Sequence, residues 1–360
     1  MLTIAENVPL APHTTFGIGG TADFFAVIHT EAELQEAVTY AHERSLGVTV
    51  LGGGSNVLIA DEGVRGLVIK NEIGGINYTE TENHFLVTVG AGVEWDVLVE
   101  DTVSSGLWGL ENLSAIPGTV GGGVVQNINA YGVTIAEVIV SVRAFHMPTK
   151  TFQIFTKEAC AFAYRNSFFK EQGPGKEYVV TEVQCALSSD AVLRTEYKSA
   201  SQSMEAYFVR NNITVPTPTD VRNAVIEVRT RIGMVQGAYK SAGSFFTNVI
   251  LEAASFRKLE EVVEAKYPDI AGDLSPWHWP LPSGEEKVSA AFLMECTPFN
   301  KSAFMGKTFN ETVGISPVHT LSLINVGGAK SVDVHAFAKQ ITDTVEKEFG
   351  VTLASEVCFL

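Results

Sequence analysis

Apolar residues recur along this chain at two spacings, and the changes from one to the other outline its elements. Residues 24–28 form a short apolar run that predicts a strand. Thr30 and Glu33 stand three apart, the spacing of a capping box, and Leu34, Ala37, Val38 and Ala41 follow at helical intervals until Gly47. Residues 48–51 predict a second strand, which ends in Gly52-Gly53-Gly54-Ser55-Asn56. The runs 57–60 and 66–69, parted by the turn Asp61-Glu62-Gly63, predict two more strands rather than a helix. A strand at 85–89 leads through Gly90 and Gly92 into a helix over 95–103, closed by Gly106.

Residues 111–132 break the pattern. This glycine-rich stretch has no clear period and reads as tight turns or as backbone approaching a ligand closely. Strands resume at 138–145, 151–155 and 178–187. Pro216 and Pro218 precede an amphipathic helix, capped by Thr219, with Val221, Ala224, Val225, Val228 and Ile232 as its apolar stripe. The proline pair is the expected internal boundary. The last helix starts near Ser331, puts Val334, Phe337, Ala338, Ile341 and Val345 on one face, and stops at Gly350.

Composition narrows the function class. At 360 residues, 46% hydrophobic and 18% charged, the chain has material for two or three folded domains. Its net charge is 25 − 41 = −16, which disfavours nucleic acid and anionic membranes, since both need a basic face. Residues 1–120 contain 16 acidic side chains against Arg44, Arg65 and Lys70, so lysine and arginine clusters do not carry binding there. Four separated cysteines without a C-x-x-C pair read as reduced, mostly buried thiols. The start lacks a basic segment followed by an apolar stretch, and no run nears the roughly 20 apolar residues of a membrane span. A soluble, cytoplasmic protein is expected.

Several motifs fail their structural context. Gly17-Ile18-Gly19-Gly20-Thr21-Ala22 fits G-x-G-x-x-A but does not sit between a strand and a helix, as a dinucleotide fingerprint must. Gly306-Lys307-Thr308 lacks the upstream glycine of a phosphate loop, and the histidines and cysteines lack metal-ligand spacing. Gly52 to Asn56 is stronger, because consecutive glycines after a strand can aim several backbone N–H groups into one concavity. The tract from Pro117 to Gly132 is a second such loop, and two suit one extended cofactor. Arg165, in Tyr164-Arg165-Asn166-Ser167-Phe168-Phe169-Lys170, is either a structural ion-pair partner or a clamp for a substrate carboxylate. Ser244 follows Gly243 and precedes two phenylalanines outside any G-x-S-x-G elbow, so a hydrolase nucleophile is not supported. Glu356 lies in an apolar C-terminal segment, where a carboxylate is either paired or tuned for proton transfer.

In order along the chain, these segments resemble the UDP-N-acetylenolpyruvoylglucosamine reductase family of flavoenzymes. The markers are residues 15–20, 51–58, 109–113 with 116–122, Gln126-Asn127, Ala130-Tyr131-Gly132, 164–170, 243–246 and Glu356. The resemblance implies an α+β chain with an FAD-binding fold of the vanillyl-alcohol-oxidase type. Its two α/β subdomains would cover 1–70 with 351–360, and 71–218; a substrate-binding α+β domain would cover 219–350. By the same resemblance FAD is held non-covalently by Gly52, Gly53, Gly54, Ser55, Asn56, Ile116, Pro117, Gly118, Gly122, Gln126, Asn127 and Ala130. NADPH reduces the flavin, which passes hydride to the enolpyruvyl ether of a UDP-sugar and so makes UDP-N-acetylmuramate for peptidoglycan precursors. Ser244 delivers the proton, while Arg165 and Glu356 act on the substrate carboxylate. Hydride attack β to that carboxylate builds charge on it, so groups aimed there act in the transition state.

Tyr164, Tyr197, Arg229, Arg231 and Asn248 are the implied substrate contacts, in a monomer with no metal and no nucleic-acid or membrane partner. The chain departs from the family at Thr247, Val249 and Cys296, which bears on substrate affinity more than on the reaction. Two other readings stay open: a flavin oxidase of an alcohol or hydroxy acid on the same fold, and a flavin-binding protein without catalysis. Many such oxidases tether FAD through a histidine near the first glycine loop, and residues 51–60 contain none.

Overall fold

The computed structural model describes residues 2–170, 174–195, 204–267 and 277–360. They form two compact units, one of Met1–His13, Thr21–Ser55 and Gly63–Arg231, the other of Thr14–Gly20, Asn56–Glu62 and Ile232–Leu360.

The first unit is built on two sheets. In the four-stranded one, Ile4–Pro9 pairs antiparallel with Thr21–Ile28, which is followed in parallel by Val64–Asn71 and Val48–Leu51. The central strand Val64–Asn71 is buried almost throughout, as expected of a parallel strand covered on both faces. Helix α1, Glu31–Glu43, crosses from the second strand to Val48–Leu51 and buries Leu34, Ala37, Val38 and Ala41. Thr30 caps it by accepting from the Glu33 N–H, but the Glu33 carboxylate reaches one residue further back, to the His29 N–H. The helix stops at Glu43 rather than running to Gly47. Ser45 takes the left-handed conformation there, and the Leu46 N–H bonds back to the Ala41 carbonyl.

The five-stranded sheet is wholly antiparallel, in the order Thr151–Thr156, Ile139–His146, Tyr178–Leu187, Phe85–Gly90, Ile76–Glu80. Helix α2, Trp95–Ser104, packs Trp95, Leu98, Val99 and Val103 into its core. The tract read as turns contains a helix, α3, Val120–Gln126, capped by Thr119. Helices α4, Met204–Arg210, and α5, Pro218–Arg231, bury Phe208, Val221, Ala224, Val225 and Val228 with Trp108 and Tyr131. Pro218 occupies the first position of α5, where a missing N–H costs nothing, and the cap is Thr217, not Thr219. The proline pair therefore marks a helix start, and α5 packs within the first unit instead of opening a new one.

In the second unit a three-stranded sheet, ordered Val249–Leu251, Glu286–Val288, His278–Pro280, and a hairpin, Val313–Ser316 with His319–Asn325, surround one core. Helices α6, Ala253–Lys266, α7, Ala290–Glu295, and α8, Ser331–Phe349, close it. The expected face of α8 is buried, and Gly350 ends it with φ 66°. Phe16, Ile18 and Leu58 join this core from the early chain, and Val57–Leu58 pairs in parallel with Cys358–Phe359. The C-terminal segment thus belongs with residues 232–350, not with the first subdomain as expected. Among the described residues no helix is long and apolar enough to cross a membrane.

Candidate active site

The two glycine loops of the first unit touch. A Cβ on Gly53 would come 2.7 Å from the Gly118 Cα, and one on Gly52 2.5 Å from the Thr119 Oγ1. From the other side, a Cβ on Gly118 would meet the Ser55 Oγ at 2.7 Å. Ser55 donates its hydroxyl to the Pro117 carbonyl at 3.1 Å. Both loops are uncharged over residues 51–60 and 112–136, so any anion there meets backbone dipoles.

The second loop is held from behind. Ala115 has φ 57°, a left-handed conformation that costs a non-glycine residue about 1–2 kcal/mol. Its N–H donates to Asp96 at 2.6 Å, and its carbonyl accepts from the Arg229 Nε at 3.2 Å. Arg222 grips the same Asp96 carboxylate with two bonds, 2.6 and 3.0 Å. The Trp95 N–H adds a bond to the Gly118 carbonyl at 2.9 Å. Burial alone would raise the Asp96 carboxyl, but Arg222, the Ala115 N–H and the Arg229 charge outweigh it and hold it below the usual range. Arg229 itself is 7% exposed; burial lowers its guanidinium, against an opposing bond and charge from Tyr131. Sequence reasoning passed over Asp96, Ala115 and Arg222, whose alignment arises only on folding.

Glu111, just upstream, shows the opposite shift. Burial pushes its carboxyl above the ordinary range, although the backbone N–H groups of Gly109, Glu111 and Leu110 pull it back.

Gln126 is buried, Ala130 half-buried and Gly122 exposed; Asn127 ends α3 at φ 46°. Asn127 donates to the Ala163 carbonyl at 2.7 Å, and Ser167 to the Val125 carbonyl at 2.8 Å, tying residues 163–167 to the glycine tract. Tyr164 and Arg165 form the tip of a two-residue turn closed by paired backbone bonds between Ala163 and Asn166. Arg165 is left-handed, φ 53°; its Nη1 donates to the Asn129 carbonyl at 3.3 Å, and Lys170 holds its own carbonyl at 2.8 Å. Arg231 is exposed at the end of α5, and Tyr197 lies outside the described residues.

In the second unit, residues 245–247 run antiparallel to 354–356. The Glu356 N–H donates to the Phe245 carbonyl at 2.8 Å, and the Thr247 N–H to the Ala354 carbonyl at 3.0 Å. Ser244 and Glu356 therefore lie at neighbouring places on one strand pair, both half-buried. Asn56 falls in this unit and donates to the Glu356 carbonyl at 3.1 Å. Asn248 accepts from the Ala290 N–H at 3.1 Å. Arg165 belongs to the first unit, and Ser244 and Glu356 to the second.

The four cysteines are unpaired thiols, two of them buried, Cys296 half-buried and Cys358 exposed. Burial pushes Cys160 up to about 11 and Cys185 up to about 12, which leaves both as unreactive thiols near neutral pH. No cluster of three or more His, Cys, Asp or Glu that could hold a metal occurs among the described residues.

These residues fit FAD on two observations. The two loops that meet there are glycine-rich and uncharged, so the donors they offer a pyrophosphate are backbone N–H groups, and the buried Oδ1 of Asn127 is an acceptor with no protein donor. A ligand carrying hydroxyl and N–H donors satisfies such an acceptor, whose burial would otherwise cost free energy.

Comparison with known proteins gives the same direction. A family model described as an FAD binding domain matches residues 22–151. Another, the C-terminal domain of UDP-N-acetylenolpyruvoylglucosamine reductase, matches residues 236–360. The chain is 38% identical to the UDP-N-acetylenolpyruvoylglucosamine reductase of Thermobifida fusca (strain YX), covering 98% of this chain and 97% of that one. It is 33% identical to the protein of that name from Pseudomonas fluorescens (strain Pf0-1), covering 99% and 98%. The crystal structure of the UDP-N-acetylenolpyruvylglucosamine reductase of Thermus caldophilus superposes with a TM-score of 0.63 at 25% identity, covering 100% of this chain and 99% of that one.

Proposed function

Because the chain belongs to the UDP-N-acetylenolpyruvoylglucosamine reductase family, we propose that it reduces UDP-N-acetylenolpyruvoylglucosamine to UDP-N-acetylmuramate with NADPH, for peptidoglycan precursor synthesis. The observation that carries this reading is the pair of touching, uncharged glycine loops inside the segment that matches an FAD binding domain. The chemistry FAD supplies when bound is hydride transfer from NADPH to the enolpyruvyl group.

The chain's residues do the rest. Residues 52–55, Ile116 and Gly118 bind and orient the cofactor through backbone N–H groups, Pro117 shapes the loop between them without a donor, and Asn56, Gly122, Gln126, Asn127 and Ala130 complete that shell. Arg165 presents its guanidinium to the substrate carboxylate and stabilises the charge that builds there. Its turn supports this role, since bonds on both sides fix the backbone that aims it. Ser244 holds the proton on its hydroxyl and gives it up to an intermediate basic enough to take it. Glu356, across the paired segments from Ser244, is assigned with Arg165 to polarising the substrate carboxylate and stabilising the enol-like intermediate. Tyr164, Tyr197, Arg231 and Asn248 are assigned to the substrate; Arg229, bonded to the Ala115 carbonyl and to Tyr131, is assigned to the cofactor loop instead. We read the protein as a cytoplasmic monomer acting on a UDP-sugar, without nucleic-acid or membrane partners, which its acidity supports.

The test is anaerobic. NADPH should bleach the bound flavin, and the enolpyruvyl sugar nucleotide should restore the oxidised spectrum. Restoration by oxygen alone contradicts the proposal. Ser244→Ala should leave the bleaching intact and slow the return by roughly two to three orders of magnitude; equal loss in both halves contradicts the serine's role.

A further inference from the structure

Ala115 is strained, and side chains from two helices hold it there. Its N–H is taken by Asp96 at the start of α2 and its carbonyl by Arg229 near the end of α5. Arg222, about two turns earlier on α5, neutralises Asp96 through two bonds and keeps it an ionised acceptor. The residue that follows is Ile116, then Pro117, which has no N–H to anchor, and Gly118 with φ 115°. The direction in which this loop leaves Ala115 sets where the Gly118 backbone meets Gly53 and Ser55.

We propose that Asp96, Arg222 and Arg229 are positioning residues for the cofactor. By holding Ala115 at both its N–H and its carbonyl, they fix the loop 116–118 in the shape that receives FAD. The proposal rests on the reading that this loop lines FAD. The three side chains act through Ala115, and the strain at that residue is the reason a clamp is needed. A glycine there would adopt the same conformation without help.

The experiment compares FAD affinity, by flavin fluorescence on protein stripped of cofactor, with amide hydrogen exchange at residues 115–118. Asp96→Asn replaces a charge-assisted bond by a neutral one, and should weaken FAD binding about tenfold, or about 1.4 kcal/mol. Exchange at Ala115 should quicken while the rest of the first unit stays protected. Adding Ala115→Gly to Asp96→Asn should recover most of the lost affinity, because the strain the clamp opposed is gone. A general loss of structure would not be rescued by removing one methyl group.

Unchanged affinity in folded Asp96→Asn, or no rescue by Ala115→Gly, overturns the proposal. If Asp96→Asn does not fold, Arg229→Lys, which keeps the charge but loses the Nε geometry, is read by the same two measurements and the same rescue. Gly118→Ala separates this failure from failure of the underlying reading. If Gly118→Ala loses FAD while Asp96→Asn keeps it, only the clamp is wrong; if Gly118→Ala binds FAD like the parent, loop and clamp both fall.

Discussion

At Gly52 and Gly53 contact limits the path of the chain: the opposing loop stands where a side chain would be. At Ala115 to Gly118 the chain is held by charge, through a carboxylate and two arginines that grip one strained peptide segment from behind. The first loop gives its backbone a single path by leaving no room for another. The second pays for its path in conformational strain and recovers the cost through hydrogen bonds. Backbone geometry can thus be set by sterics or by remote side chains, and the two respond differently to substitution and pH.

The largest expected effect breaks the steric half. Gly53→Ala sets a methyl group against backbone that cannot swing aside, and overpacking of this kind costs about 1–3 kcal/mol. FAD affinity should fall by up to roughly a hundredfold on that scale. Affinity within twofold of the parent would show that the loops are not set by contact.

A smaller effect sharpens the charged half, through pH. Asp96 has a lowered carboxyl, so its stabilising contribution is present above the unfolded value of about 3.9 and is lost as pH falls through the lower folded value. Glu111 has a raised one, so its contribution is full below about 4.3 and is lost as pH rises through the higher folded value. Glu111→Gln should therefore raise the melting temperature at pH 7–8 relative to the parent, and the gain should fade towards pH 4. A gain that persists unchanged at pH 4 would contradict the assignment. The smallest effect is at the contact between the loops. Ser55→Ala removes one bond to Pro117 and should weaken FAD binding by about 0.5–1.5 kcal/mol, measured by the same titration.

The difference between the loops also explains what could be read in advance. Gly52, Gly53 and Gly118 announce themselves, because a position that excludes Cβ can only be glycine. The strands 48–51 and 178–187 and the face of α8 were legible for a similar reason, since burial acts through local period. Helix α3 was not. Three of its seven residues are glycine, each costing a helix about 1 kcal/mol relative to alanine, so propensity argues against it. Packing overrides propensity there: a Cβ on Gly121 would lie 2.9 Å from the Ala91 Cβ. The grip of Arg222 on Asp96 spans 126 residues and has no local signature. Pro218 is plain in the sequence but ambiguous there, because its fixed φ serves a boundary and a helix start equally well. The family markers single out Ser244 and Glu356 as candidates, while the strand pair that makes them neighbours depends on the full fold.

The second unit is assembled from residues 14–20, 56–62 and everything after 231, and this has a consequence in time. Phe16, Ile18 and Leu58 leave the ribosome early, yet the core that covers them is made of side chains from Ala242 onward. At 5–20 residues per second, they wait roughly 10–45 s for the first of it. For that interval three large apolar side chains have no place to go, in a nascent chain whose neighbouring strands are already free to pair. Their protection during synthesis falls to whatever binds exposed apolar segments in the cell, which makes slowed translation between residues 62 and 242 a route to misfolding that no change in the finished protein would reveal.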